Sequence, residues 1–227
     1  MRVNVVTMFP EFFDGPLQVS IVGRAIESGG LEVNLADLRD HGLGVHRQLD
    51  DAPFGGGPGM VMMIEPLASA LEPLAKTHRV LFTPVGVALT QDTLDHWTTL
   101  PEITFVCGRF EGVDQRVVDQ FIDEEVSVGD FVLAGGEVVA ALCIEGMARL
   151  LPGVVGNPRS TESESFRDGL LEEPVYTRPA DFRGWEVPEI LLSGNHRLID
   201  EWRKDQRLRR TRERRPDLLP DGETPDT

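Results

Sequence analysis

The chain carries 227 residues, 41% of them hydrophobic, and a formal charge of −16; that suits one large domain or two unequal ones and argues against a surface attractive to polyanions all over. There is no uncharged apolar run of 18 residues and no long apolar amino-terminal segment with a cleavage site, so neither a transmembrane helix nor a signal peptide is expected, and the expected location is cytoplasmic. Cys107 and Cys143 make neither a zinc spacing nor a disulfide framework.

In chain order, Val3–Met8 predicts a first strand. Pro16–Glu27 has Leu17, Ile21, Val22, Ala25 and Ile26 near helical spacing and is closed by Gly29-Gly30. Leu31–Ala36 alternates as a second strand. A long loop follows from Arg39 to about Met60; such loops are functional or disordered. Pro66–Lys76 predicts a short helix with a kink at Pro73. Next come the strand Val80–Phe82, a helix from Gln91 capped by Thr90, the strand Ile103–Val106, the helix Val113–Ile122 and the strand Val126–Val128. A mostly apolar helix spans Glu137–Leu150, ended by Pro152-Gly153. Residues 156–180 are polar and aperiodic, hence a linker. Glu189–Leu192 and Asn195–Arg210 are helical, and Asp217–Thr227 is expected to fray. Strands alternating with helices give an α/β domain with a mainly parallel sheet, followed by a small helical carboxyl-terminal domain.

Three of these strands run into glycine-punctuated turns: Thr83-Pro84-Val85-Gly86, Cys107–Gly112 and Val128–Glu137. Each alone fits a structural turn. Together, after parallel strands, they fit one ligand held at the carboxyl edge of the sheet, where glycine lets backbone groups approach closely. Gly55-Gly-Gly-Pro-Gly59 is neither a P-loop nor a dinucleotide fingerprint, because no Gly-Lys-Ser/Thr follows and Met60 stands where a third glycine belongs. His41, His46, His78, His96 and His196 have no metal-ligand spacing, and there is no Gly-x-Ser-x-Gly element. Residues 197–215 hold nine Arg or Lys against four Asp or Glu, a net +5, so the rest carries −21. That asymmetry points to a local polyanion site, the alternative being a solvated amphipathic helix.

The motifs Phe54–Met60, Cys107–Gly112, Gly129–Glu137, Asp168-Gly-Leu-Leu171, Tyr176-Thr-Arg-Pro179 and Leu191–His196 occur in this order, and the chain resembles the bacterial tRNA (guanine-N1)-methyltransferases of the SPOUT superfamily nearly throughout. The resemblance implies a deep trefoil knot on the carboxyl side of the sheet, a homodimer with the target base between subunits, and domains at 1–160 (methyltransferase), 161–180 (linker) and 181–227 (helical, tRNA-binding). It implies S-adenosylmethionine at Thr83, Pro84, Gly108, Arg109, Phe110, Glu111, Ser127, Val128, Gly129, Asp130, Phe131, Val132, Leu133, Gly135 and Gly136, with Glu111 as a candidate Mg2+ ligand. It places the loop of Gly55, Gly56 and Gly57 beside the target nucleotide, guanosine 37. The family often has tyrosine where this chain has Leu81, Phe110 and Phe131, so any phenolic hydrogen bond there is absent.

Arg149, at a helix end, and Asp168, before a glycine, would each pass as ordinary capping or turn residues. The resemblance makes them the catalytic pair. Guanine N1 carries a proton and becomes nucleophilic as that proton leaves, while negative charge develops on O6. Asp168 can take the proton and Arg149 can offset the charge. His46, Arg47, Arg207, Arg209, Arg210, Arg212 and Arg214 are candidate phosphate contacts. The alternatives are a non-catalytic RNA-binding protein on the same scaffold, which would need neither Arg149 nor Asp168, and a methyltransferase acting on another RNA position.

Overall fold

A computed structural model of the chain describes residues 1–156, 161 and 164–220; the end of the expected frayed tail, from 221 on, lies outside them. Contacts divide the chain into two compact units, Met1–Gly156 and Asn157–Thr227.

The first unit is an α/β layer structure. Five parallel strands, β1 (Arg2–Thr7), β2 (Glu32–Asp37), β5 (His78–Ala88), β6 (Glu102–Cys107) and β7 (Glu124–Ser127), lie in the order β2-β1-β6-β5-β7. Two short strands, β3 (Asp50–Asp51) and β4 (Val61–Met62), pair antiparallel inside the long loop. The helices are α1 (Ser20–Glu27), α2 (Ile64–Leu71), α3 (Gln91–Thr98), α4 (Gln115–Phe121) and α5 (Glu137–Ala148). Side chains of the central strands alternate between two cores. Val3, Val5, Val80, Phe82, Ile103 and Phe105 pack with α1, α3 and α5. Val6, Leu81 and Val106 pack with α2 and α4. With both faces covered, β1 and β6 are buried at every position after the first, Asn4, Thr7 and Thr104 included, instead of alternating between buried and exposed.

Most local signals match their elements. Thr90 caps α3 by accepting from the Thr93 N–H, and Gly29 takes φ +73° after α1. Pro73 converts the end of α2 into a 3-10 turn over Glu72–Leu74. Two expectations need correction. The first helix starts at Ser20 and not at Pro16, because Ser20 has φ +57° and Val19 is extended, while Pro10–Phe13 forms a separate 3-10 turn. Thr83–Gly86 is no terminal turn either. It is a bulge within β5: Phe82 and Val87 both pair with Val126, so the four intervening residues are pushed out of the ladder.

The second unit holds a two-residue hairpin, β8 (Asp181–Phe182) with β9 (Trp185–Glu186), then α6 (Glu189–Leu192) and α7 (His196–Arg214). Helix α7 runs four residues past the expected Arg210. Ile199 is its buried apolar anchor, and Thr211 is fully buried.

Candidate active site

A cavity of about 330 Å³ opens at the carboxyl ends of β5, β6 and β7. Its walls are the β5 bulge, the loop after β6, and the loop between β7 and α5. Thr83, Pro84, Gly108, Arg109, Phe110, Glu111, Ser127, Val128, Gly129, Phe131, Val132, Leu133, Gly135 and Gly136 all line it, and Asp130 does not. The size is within the range of small-molecule sites.

The glycines show how closely the segments that wall this cavity approach one another. A Cβ on Gly136 would sit 2.9 Å from the Cα of Cys107, and its N–H donates to the Gly108 carbonyl at 3.1 Å. A Cβ on Gly135 would fall on the Arg109 side chain, and one on Gly86 on the β7 backbone at Val126. Three chain segments therefore approach within backbone distance. Phe110 adopts φ +60° and stays half exposed at the rim. A non-glycine residue held there costs about 1–3 kcal/mol, of the kind concentrated at ligand sites. Gly129, at φ +147°, lets the Phe131 ring lie against the backbone.

The Gly-rich loop belongs to the same neighbourhood. Gly55, Gly56, Gly57 and Gly59 all have positive φ. Gly59 abuts the Glu111 side chain, and the Glu111 N–H donates to the Met60 carbonyl at 2.9 Å. Phe54, at the start of the loop, is fully exposed. His46 is exposed, whereas Arg47 pairs with Asp40 at 3.3 Å. Among the described residues no three His, Cys, Asp or Glu side chains cluster. Burial pushes the Cys143 thiol up to about 12, and burial together with Glu137 pushes Cys107 up as well, so neither offers a thiolate.

Arg149 is the C-cap of α5; its N–H donates to the Glu145 carbonyl at 3.2 Å. Asp168 lies in the other unit, in a tight loop where Phe166 and Gly169 have positive φ and the Phe166 N–H bonds the Leu170 carbonyl. Helix α7 binds this loop. Arg207 reaches the Asp168 carboxylate at 2.7 Å, Thr211 accepts from the Leu171 N–H at 2.9 Å, Arg210 donates to the Glu172 carbonyl at 3.0 Å, and Arg203 pairs with Glu173 at 3.4 Å. Arg207 is only 14% exposed, and Asp168 is 52% exposed. Arg207 and Arg210, expected on phosphate, are thus engaged in holding the Asp168 loop. Arg209 is exposed and pairs with Glu213; Arg212 and Arg214 are also exposed.

No local signal marks Glu137 in the chain. It is 1% exposed at the first position of apolar α5, bonded by Thr7 and Arg109. An acid beginning a helix is ordinary, and its burial depends on residues far away in the chain.

The family model described as tRNA (Guanine-1)-methyltransferase TrmD matches residues 1–221. A tRNA (guanine-N(1)-)-methyltransferase of Gloeobacter violaceus is 52% identical over 224 residues, covering 97% of this chain and 99% of its own. Proteins of the same name from Geobacter sulfurreducens and Nocardia farcinica are 49% and 50% identical, covering 96% and 97% of this chain and 91% and 97% of their own. Identity near one half across almost the full length, on an α/β frame with its cavity at the carboxyl edge of a parallel sheet, establishes that the chain belongs to the tRNA (guanine-1)-methyltransferase TrmD family of the SPOUT superfamily.

Proposed function

We propose that the protein transfers a methyl group from S-adenosylmethionine to N1 of guanosine 37, beside the anticodon of tRNA. The observation that carries this reading is the cavity shared by three glycine-built loops at the ends of β5, β6 and β7. Its apolar walls suit adenine, its closely approaching backbone supplies N–H and C=O groups, and its volume suits one cofactor. When bound, S-adenosylmethionine supplies an electrophilic methyl group on a sulfonium. The protein's residues have the remaining tasks. Asp168 accepts the N1 proton and Arg149 offsets the charge growing on O6. Arg207 holds Asp168 by one carboxylate oxygen. Glu111 is the candidate contact for Mg2+, through which we derive no step. Incubation with S-adenosylmethionine and tRNA, followed by mass mapping of the modified nucleoside, tests the assignment. A methyl group at another position or atom overturns it.

In this reading residues 1–160 form a trefoil-knotted methyltransferase domain, 161–180 connect it, and 181–227 form a helical domain that binds tRNA. The expected location is the cytoplasm; among the described residues no helix is long and apolar enough to cross a membrane. The protein acts as a homodimer. An apolar groove between α1 and α5, lined by Leu17, Val19, Ile21 and Leu142, supports a partner surface on the first unit. Sedimentation at micromolar concentration should give twice the chain mass, and a single-chain mass overturns the dimer.

The phosphate contacts fall on Arg209, Arg212 and Arg214. Replacing these three by Gln, with Arg207 and Arg210 kept to preserve the Asp168 loop, should weaken tRNA binding. It should also lower the slope of log affinity against log salt by roughly two to three, about 0.7–0.9 per lost contact. An unchanged slope would leave α7 a solvated helix.

A further inference from the structure

We infer that Glu137 is a positioning residue for cofactor binding: through Arg109 it fixes the spacing of the two loops that close the cavity. The inference rests on the cavity being the S-adenosylmethionine site. Glu137 is a carboxylate with almost no exposure, on a helix whose other inward residues are apolar. One of its oxygens accepts from the Thr7 hydroxyl at 2.9 Å, at the carboxyl end of β1. The other accepts from Arg109 Nε at 3.0 Å and Nη2 at 2.9 Å. The amino terminus of α5 favours the negative charge further.

Three further contacts hold Arg109. Its guanidinium stacks over the Phe9 ring at 4.5 Å, its N–H contacts the Met62 sulfur at 3.1 Å, and its backbone bridges to Gly135. Its side chain fills the space a Cβ on Gly135 would need. The loop after β6 and the loop before α5 are therefore held apart by one flat arginine, itself anchored by one buried acid. Arg109, Gly135 and Gly136 all line the cavity, so a change in this spacing changes the cavity's shape. With its charge engaged by Glu137, Arg109 serves as a spacer and not as a counter-charge for the ligand.

Calorimetry with S-adenosylmethionine on wild type, Glu137→Gln and the double variant Arg109→Met/Glu137→Leu tests this. Glu137→Gln leaves a partly buried guanidinium without its counter-charge, and its Kd for S-adenosylmethionine should rise tenfold or more. Turnover at saturating cofactor should stay within about threefold of wild type, so the effect falls on KM. The double variant removes both charges for apolar groups of similar size, which is commonly neutral or stabilising. It should regain thermal stability while its cofactor affinity stays at least tenfold weak. Affinity that returns together with stability would reduce the pair to a structural role and overturn the inference; the double variant decides this even where Glu137→Gln does not fold. Wild-type binding with Glu137→Gln within twofold of it also overturns the inference alone. Wild type that fails to bind S-adenosylmethionine overturns the cofactor reading beneath it.

Discussion

Asp168→Asn should slow the methyl-transfer step by about 10²–10⁴-fold, the range that general-base catalysis supplies. The substitution separates chemistry from architecture. Asn keeps an oxygen that can accept from Arg207, so the 2.7 Å contact survives as a hydrogen bond. The loop also stays tied to α7 through the Leu171 N–H on Thr211 and Arg210 on the Glu172 carbonyl, neither of which involves the Asp168 side chain. Cofactor affinity should be nearly unchanged, since the proposed cofactor site is built from residues of the first unit. The measurement is single-turnover methyl transfer with saturating tRNA and cofactor. A chemical step within about threefold of wild type would remove Asp168 as the base. Arg149→Ala, in the same assay, should slow the same step with the fold intact, because a helix C-cap tolerates alanine.

Signals that depend on residues close in sequence were legible, and those that depend on distant partners were not. The apolar pairs Val5-Val6 of β1 and Phe105-Val106 of β6 need only a sheet covered on both faces, and Thr90 needs only an N–H three residues away. The β5 bulge was hidden because Thr-Pro-Val-Gly has the composition of a terminal turn; only the return of Val87 to the β7 ladder distinguishes the two. The loop around Asp168 has no periodicity, and its order comes from Arg207, 39 residues on. Polar sequence suggested a linker there, while the cations of α7 suggested phosphate contacts. In the structure Arg207 and Arg210 hold the Asp168 loop. Glu137 shows the same limit. Its partners Thr7 and Arg109 lie 130 and 28 residues away, and burial of an acid leaves no local pattern.

Gly108→Val should weaken S-adenosylmethionine binding by roughly 5- to 150-fold, the equivalent of about 1–3 kcal/mol of overpacking. The geometry makes this a cleaner test than the corresponding change at Gly136. A Cβ on Gly108 meets only ordinary contacts at 3.7 Å, to Leu81, Val113 and the Phe82 carbonyl, and Gly108 lines the cavity. The protein therefore has room for the first added carbon, and the added methyl groups fall into space that the cofactor is proposed to fill. At Gly136 the first added carbon already meets the Cα of Cys107 at 2.9 Å, so the α5 amino terminus must move away from β6 whether or not a ligand is present. Gly136→Val should consequently lose both affinity and thermal stability, whereas Gly108→Val should lose affinity with a melting temperature within a few degrees of wild type. Calorimetry and thermal unfolding on the two variants resolve the cases. Unchanged affinity in a folded Gly108→Val protein would place the cofactor elsewhere and withdraw the site assignment at the ends of β5, β6 and β7.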